Sequence, residues 1–380
     1  MESPVRFGII GVGGMGNGHA RNMPRIEEAT LTAVCDISPE ALAAATEMYE
    51  VPGFDNHVDL LESGLVDAVI VATPHYFHPP IAVDAMERGI HVISEKPMAV
   101  TVSGAQAMID AAERTGVVFA VMFQQRTFPI YQAAKRLVDE GKLGELYRTL
   151  LTDCHFRSQA YYNSAGWRAT WKGEGGGVLL NQAPHGMDIF TWLAGMPSRV
   201  IADVNTRQHV IEVEDEASAL LTYANGAIGY FLETVNDYPT GTRIELCGEL
   251  GKLVLEHGQL RFWQVTPGVR AASDTTEAMW GKPEVEEIEV EVTEASTGHD
   301  EIVRNVARAI LYGEDVLSPG PEAIRSLELA NAILLSGHAD QPVDLPVDRA
   351  TYDAFIAEMQ ATSKDKVVVD QRVTDPNHLT

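Results

Sequence analysis

The chain has 380 residues, enough for two domains and a sizeable core, with 45% hydrophobic and 22% charged residues and a formal net charge of −26. Such an excess of acid excludes partners that must be met by a basic face, nucleic acid and anionic membrane surfaces alike. Three widely separated cysteines, Cys35, Cys154 and Cys247, suggest neither a disulfide framework nor a thiolate metal centre.

The opening Met1-Glu2-Ser3-Pro4 lacks the basic, apolar pattern of a leader, and no run reaches membrane-spanning length, so a cytoplasmic protein is expected. Residues 5–10 read as a strand, and Gly11-Val12-Gly13-Gly14-Met15-Gly16 follows at once, a GxGxxG that opens into a helix. Gly11 permits a tight turn, Gly13 lets backbone approach a pyrophosphate, and Gly16 lets helix and strand pack closely; the diphosphate would sit on the helix N-terminus. A second strand over 31–35 ends in Asp36, about 20 residues past the last glycine. Its carboxylate suits the ribose hydroxyls of adenosine and repels a 2′-phosphate. With no arginine beside it, NAD is expected over NADP; the plainer alternative is an ordinary strand-end carboxylate.

The alternation continues with a helix over 39–49, a strand over 67–72, the loop Thr73-Pro74-His75-Tyr76-Phe77-His78, and a helix over 80–88. A strand over 90–93, a helix over 102–115 and a strand over 117–122 complete it. This predicts an α/β class, with a doubly wound parallel sheet of about five strands covered by helices on both faces. His75 and His78 share a loop but lack a third ligand and helical spacing, so no metal is expected there. Strand 90–93 closes on Ser94-Glu95-Lys96-Pro97. Taken alone this is equally a strand end with a solvated Glu–Lys pair, but a lysine at the carboxyl end of a parallel strand reaches both a bound cofactor and whatever presses on it.

After Phe123-Gln124-Gln125-Arg126 the texture changes. A helix over 130–140 leads into an alternating strand over 146–156. Further strands are expected over 199–209, 217–223, 227–235, 242–247, 252–256, 259–265 and 285–292. They imply a large open, mostly antiparallel sheet with one face under helices and the other needing cover, hence self-association. Between the first strand and the rest runs an aromatic, glycine-rich insert from Tyr161 through Trp167-Arg168 to Gly175-Gly176-Gly177. Its glycines either bring backbone close to something or simply bend the chain. The helix that follows places Asn181 and His185 four apart, on one face, with Asp188 three further on. Closing helices from His299 and from Pro321 are expected to return over the sheet; His299 is either a site residue or a capping one, and a polar tail begins at 363. The division expected is 1–123 for the nucleotide domain, 124–362 for the substrate domain and 363–380 for the tail.

These pieces together resemble the Gfo/Idh/MocA oxidoreductases. The matching residues are Gly11, Gly13 and Gly16, then Ala72-Thr73-Pro74 and His78, then Glu95-Lys96-Pro97. Trp167-Arg168, the triple glycine with Asn181 and His185, Gly298-His299 and the run from Ser326 to Ala332 complete the match. The resemblance implies a Rossmann domain, a C-terminal α/β domain whose open sheet makes homodimers or homotetramers, and hydride transfer between nicotinamide and a carbinol of a sugar, glycoside or cyclitol. Carried over by position, Lys96 and His185 are the catalytic pair, and Lys96-Pro97 is a candidate cis bond. Gly11, Gly13, Gly14, Met15, Gly16, Asp36, Thr73, Pro74, His78, Glu95, Lys96, Trp167 and Arg168 form the cofactor set. Arg126, Tyr161, Trp167, Arg168, Asn181 and His185 form the substrate set. Many relatives carry Asp where this chain has Asn181, which makes Asn181 a polar substrate contact. Two other readings stay open: a glycosidase that oxidises and eliminates with retained NAD, and a non-catalytic dinucleotide-binding regulator.

Overall fold

The structure, a computed structural model, describes residues 3–364 and 366; most of the expected tail therefore lies outside the described residues. Six short strands, β1 (Val5–Ile10), β2 (Ala29–Cys35), β3 (Gly53–Phe54), β4 (Ala68–Val71), β5 (His91–Ser94) and β6 (Phe119–Val121), form the first sheet. All are parallel, in the order β3-β2-β1-β4-β5-β6. Their apolar side chains are the reason: Phe7, Ile9, Val69, Ile70, Val92 and Ile93 are fully buried, as strands covered on both faces require. The covering helices start where the sequence supplies caps. Ser38 accepts the Ala41 N–H at 3.3 Å to open Pro39–Tyr49, and Thr101 accepts the Gly104 N–H at 3.1 Å to open Val102–Thr115. Strand order reverses between β1 and β4, which leaves a crevice outside their carboxyl ends. Gly11 and Thr73 sit at that mouth. The strand β3 went unread because two residues carry no periodicity.

Nine further strands build the second sheet: β7 (Leu146–Phe156), β8 (Arg199–Asn205), β9 (Glu216–Thr222), β10 (Ile228–Thr234), β11 (Asn236–Gly248), β12 (Gly251–Glu256), β13 (Gln259–Thr266), β14 (Glu284–Ile288) and β15 (Val343–Asp344). Their order is β14-β13-β12-β11-β7-β10-β9-β8-β15, with β7 and β10 the one parallel pair. Helices Pro184–Ala194 and Gly320–Ala339 pack on one face. On the other, Ile201, Leu220 and Tyr230 stand in register across three strands, each about half exposed.

Two local departures from the sequence reading matter for the site. The expected single helix carrying Asn181 and His185 is two helices, Val178–Asn181 and Pro184–Ala194, because Pro184 has no N–H to continue the first. And the helix His299–Tyr312 returns to the first sheet, not the second: Ile302, Val303, Val306 and Ala307 pack into one core with Val5, Phe7 and Ile9.

The passage between the sheets is fastened by Arg126, which is fully enclosed. Its Nε and Nη2 each donate to Asp188 at 2.8 Å, and its Nη1 donates to Glu322 at 2.7 Å and to the Leu317 carbonyl at 3.2 Å. The guanidinium also lies 5.1 Å over the Trp192 ring. Every donor nitrogen is thus occupied by the protein, and Arg126 is a structural clamp instead of the substrate contact expected from sequence. Substituting Arg126→Met strands the buried Asp188 carboxylate, so denaturant unfolding is expected to show a loss of about 3–5 kcal/mol. A loss below about 1 kcal/mol would refute the clamp.

Candidate active site

The crevice begins at the glycine turn. Gly11 takes φ +93°, and a Cβ there would lie 2.7 Å from the Ala72 carbonyl oxygen, so only glycine lets β1 and the chain after β4 run this close. A Cβ on Gly16 would fall 1.8 Å from the Gly11 carbonyl oxygen. Gly13 and Gly14 are different: nothing lies within 4 Å of a Cβ on either, and both face outward beside the exposed Met15. The helix Gly14–Asn22 that starts here has no side-chain cap and no acid in its first turn. Its free N–H groups and positive dipole end are therefore open to an anion. Asp36 borders the turn, accepting the Val12 N–H at 2.9 Å and the Ser38 N–H at 2.8 Å. Thr73 carries an enclosed hydroxyl with no partner, and Pro74 heads the short 3-10 turn His75–Phe77. An open glycine ledge, an uncapped helix start, a carboxylate beside the turn and an orphan hydroxyl fit a dinucleotide.

At the tip of β5 the peptide Lys96-Pro97 is cis, as expected. Glu95 points back beneath the sheet, where its Oε1 lies 2.7 Å from His19 Nε2 and its Oε2 accepts the Lys96 N–H at 3.1 Å. Burial alone would raise its carboxyl, but the His19 hydrogen bond and the charges of His19 and Lys96 outweigh this and hold it at about 2. His78 is likewise a fastener: its Nδ1 is 2.9 Å from the Pro97 carbonyl oxygen and its Nε2 2.7 Å from that of Thr73, tying two strand tips together. The residue is 1% exposed, and both ring nitrogens are engaged in positioning the loop.

Lys96 points across to the second half, donating from Nζ to the Asn181 carbonyl at 2.7 Å. Desolvation lowers its pKa against the opposing pull of Glu95 and Glu174. His185, one residue into its helix, stands within electrostatic reach: desolvation first and the Lys96 charge second push its imidazole below the usual range, so the ring is neutral at pH 7. Its Nδ1 is enclosed without a partner among the described residues, and its Nε2 is 3.4 Å from Gln124 Nε2. The ring packs edge-on to Phe123 at 5.9 Å between centroids. The amine and the imidazole thus lie within electrostatic reach of each other.

The insert supplies the remaining wall. The Arg168 guanidinium lies 4.2 Å over the Tyr161 ring and 4.8 Å over the Trp167 ring, and its Nη1 donates to the Tyr161 hydroxyl. His75 packs edge-on to Trp167 at 6.3 Å. Asn181 does not meet His185 as the single-helix reading implied; its Oδ1 accepts from the Tyr161 hydroxyl at 3.2 Å and from Gln182 at 3.0 Å, and its Nδ2 donates to Glu174. Glu174 is the residue the sequence reading passed over. Fully buried, it accepts from Asn181, lies 3.9 Å from Arg168, and gives its backbone carbonyl to His75 Nδ1 at 3.0 Å. A lone acid inside the run Gly173-Glu174-Gly175 was the available signal. The glycines themselves press against the chain's own atoms: a Cβ on Gly173 would lie 2.1 Å from the Trp167 carbonyl oxygen, and one on Gly177 would lie 1.9 Å from that of Glu214.

Comparison with known proteins places this arrangement. Residues 5–123 match the description "Oxidoreductase family, NAD-binding Rossmann fold" of the GFO/IDH/MocA proteins, and residues 131–254 match their C-terminal domain. The chain is 27% identical over 290 residues to a levoglucosan dehydrogenase of Pseudarthrobacter phenanthrenivorans, covering 67% of this chain and 74% of that one. It is 27% identical over 280 residues to scyllo-inositol 2-dehydrogenase (NAD(+)) of Bacillus subtilis, covering 70% and 77%. Among solved structures, the WlbA dehydrogenase from Chromobacterium violaceum in complex with NADH and UDP-GlcNAcA is 30% identical with a TM-score of 0.77, covering 91% of this chain and 97% of that one. With both domains matched along the chain, and a solved relative covering 91% of it, the chain belongs to the GFO/IDH/MocA family of oxidoreductases.

Proposed function

We propose that the protein is an NAD(H)-dependent dehydrogenase that moves a hydride between nicotinamide and a ring carbinol of a sugar, glycoside or cyclitol. The observation that carries this is a desolvated Lys96 amine at the tip of β5 within electrostatic reach of a neutral His185, on the sheet whose first turn carries the glycines. The substrate class rests on relatives named for levoglucosan and scyllo-inositol. Bound on Gly11, Gly13, Gly14, Gly16 and Asp36, the cofactor supplies a hydride acceptor at its ring.

The chain supplies the rest. Oxidising an alcohol also frees a proton, and neutral His185 with an unpartnered ring nitrogen accepts it. Lys96 donates to the same oxygen and stabilises developing alkoxide. Glu174 fixes Asn181, whose carbonyl in turn aims the Lys96 amine. Tyr161, Trp167 and Arg168 give a flat aromatic and cationic wall of the kind sugar rings rest on. Asp36, with no arginine next to it, supports NAD over NADP, and the row Ile201, Leu220 and Tyr230 supports a homodimer or homotetramer through the second sheet. We assign residues 1–123 chiefly to the cofactor and 124–362 to substrate and assembly, in a cytoplasmic enzyme.

Screening sugars and inositols by NADH fluorescence is expected to reveal a ring polyol that is oxidised. His185→Ala should then lower kcat on the order of 10²–10⁴-fold while retaining NAD. Glycosidic cleavage without net NADH would favour the oxidation–elimination reading instead. Gly13→Ala should leave unfolding unchanged, since its Cβ meets nothing, yet weaken NADH binding measured by fluorescence; equal binding would show that the ledge carries no phosphate. Asp36→Ser should narrow the preference for NAD over NADP, and an unaltered ratio would remove Asp36 from ribose recognition.

A further inference from the structure

On the helix-covered face of the second sheet lies a cluster the reaction does not use. Asp153 and His155 are two apart on β7, so their side chains share a face. Asp153 is in register with Glu233 of β10 on one side and with Thr242 of β11 on the other. His155 Nε2 is 3.3 Å from Asp153 Oδ1 and 3.6 Å from Glu233 Oε1. One ligand atom from each of the three residues lies within 4.8 Å of the others. Glu233 is wholly buried, yet among the described residues neither of its carboxylate oxygens has a hydrogen-bond partner. A carboxylate enclosed beside a second one, with no donor offered to it, lacks the cation that would make its burial tolerable.

We propose that Asp153, His155 and Glu233 form a binding site for a divalent metal ion of the zinc class. The donor set, one imidazole nitrogen and two carboxylates, is that of a three-ligand site with a fourth position left for water. In a tetrahedron with bonds of about 2.0–2.1 Å, ligand atoms stand about 3.3 Å apart, close to the two His155 separations. Two carboxylates alone are too few for calcium, and a ring nitrogen disfavours magnesium. The Thr242 hydroxyl donates to Asp153 Oδ1 at 2.5 Å and so orients that ligand from the second strand neighbour. The partly exposed His155 gives the ion a way in. Burial first, and the Asp153 charge second, raise the free Glu233 carboxyl well above its usual range, and a cation between the two would offset both.

The test uses the whole chain, stripped with chelator and titrated with Zn²⁺ alone by calorimetry, with metal content read after dialysis. One equivalent is expected to bind with a Kd of about 1 µM or tighter. Co²⁺ in its place should give the intense visible absorption of a four-coordinate site. Both signals should weaken at least about tenfold in Glu233→Gln and in His155→Ala. Should Glu233→Gln unfold, His155→Ala at its partly exposed position decides. No saturable Zn²⁺ binding, or binding equal in the His155 variant, would overturn the site. Neither readout involves nicotinamide, so the result stands apart from the dehydrogenase reading.

Discussion

The hydrogen bond from Lys96 Nζ to the Asn181 carbonyl joins the two halves of the molecule at the point where chemistry is expected. An ammonium drawn partly out of water costs free energy unless oxygen surrounds it. Here the oxygens come from both sides of the crevice: Glu95 from the strand tip, Asn181 and Glu174 from the insert. Moving either half would leave that charge underserved. The same requirement explains why a buried acid sits inside a glycine run, because only glycines allow the insert to fold tightly enough to bring Glu174 under Asn181.

Four of the buried acids illustrate what answers a buried charge. Glu95 is met by His19 and a backbone N–H, and Asp188 by both arms of a guanidinium. Glu174 has an amide, a backbone N–H and a more distant arginine, and its carboxyl stays above the ordinary range because burial is only partly offset. Glu233 has none of these. The neutral state of His185 belongs to the same balance, since a nearby ammonium and a desolvated ring both oppose its protonation.

Much of this was legible in the residues. Parallel strands announce themselves as short apolar runs, and the glycine turn and strand-tip lysine follow from what a nucleotide-binding sheet must present. Helix Val102–Thr115 and strand β7 fall where periodicity and caps put them. What the sequence hid is long-range pairing. Nothing near Arg126 says that its partners lie 62 and 196 residues away, so an arginine after a strand read as a ligand contact. Asn181 and His185 look stacked because four-residue spacing assumes an unbroken helix, and Pro184 between them breaks it. The two-residue strand β3 and the path of the helix His299–Tyr312 are set by neighbours far along the chain, which local pattern does not encode.

That last helix has a consequence for how such a protein is inherited. The greasy flank of the nucleotide-binding half is sealed by Ile302, Val303, Val306 and Ala307, while Arg308 grips Glu28 at 2.7 Å. The first 123 residues are thus no portable cassette: cut out by themselves, they would bare that flank to water. Recombination that shuffles such modules must carry along a piece encoded nearly two hundred codons downstream, which ties the evolutionary fate of the front of the gene to its far end.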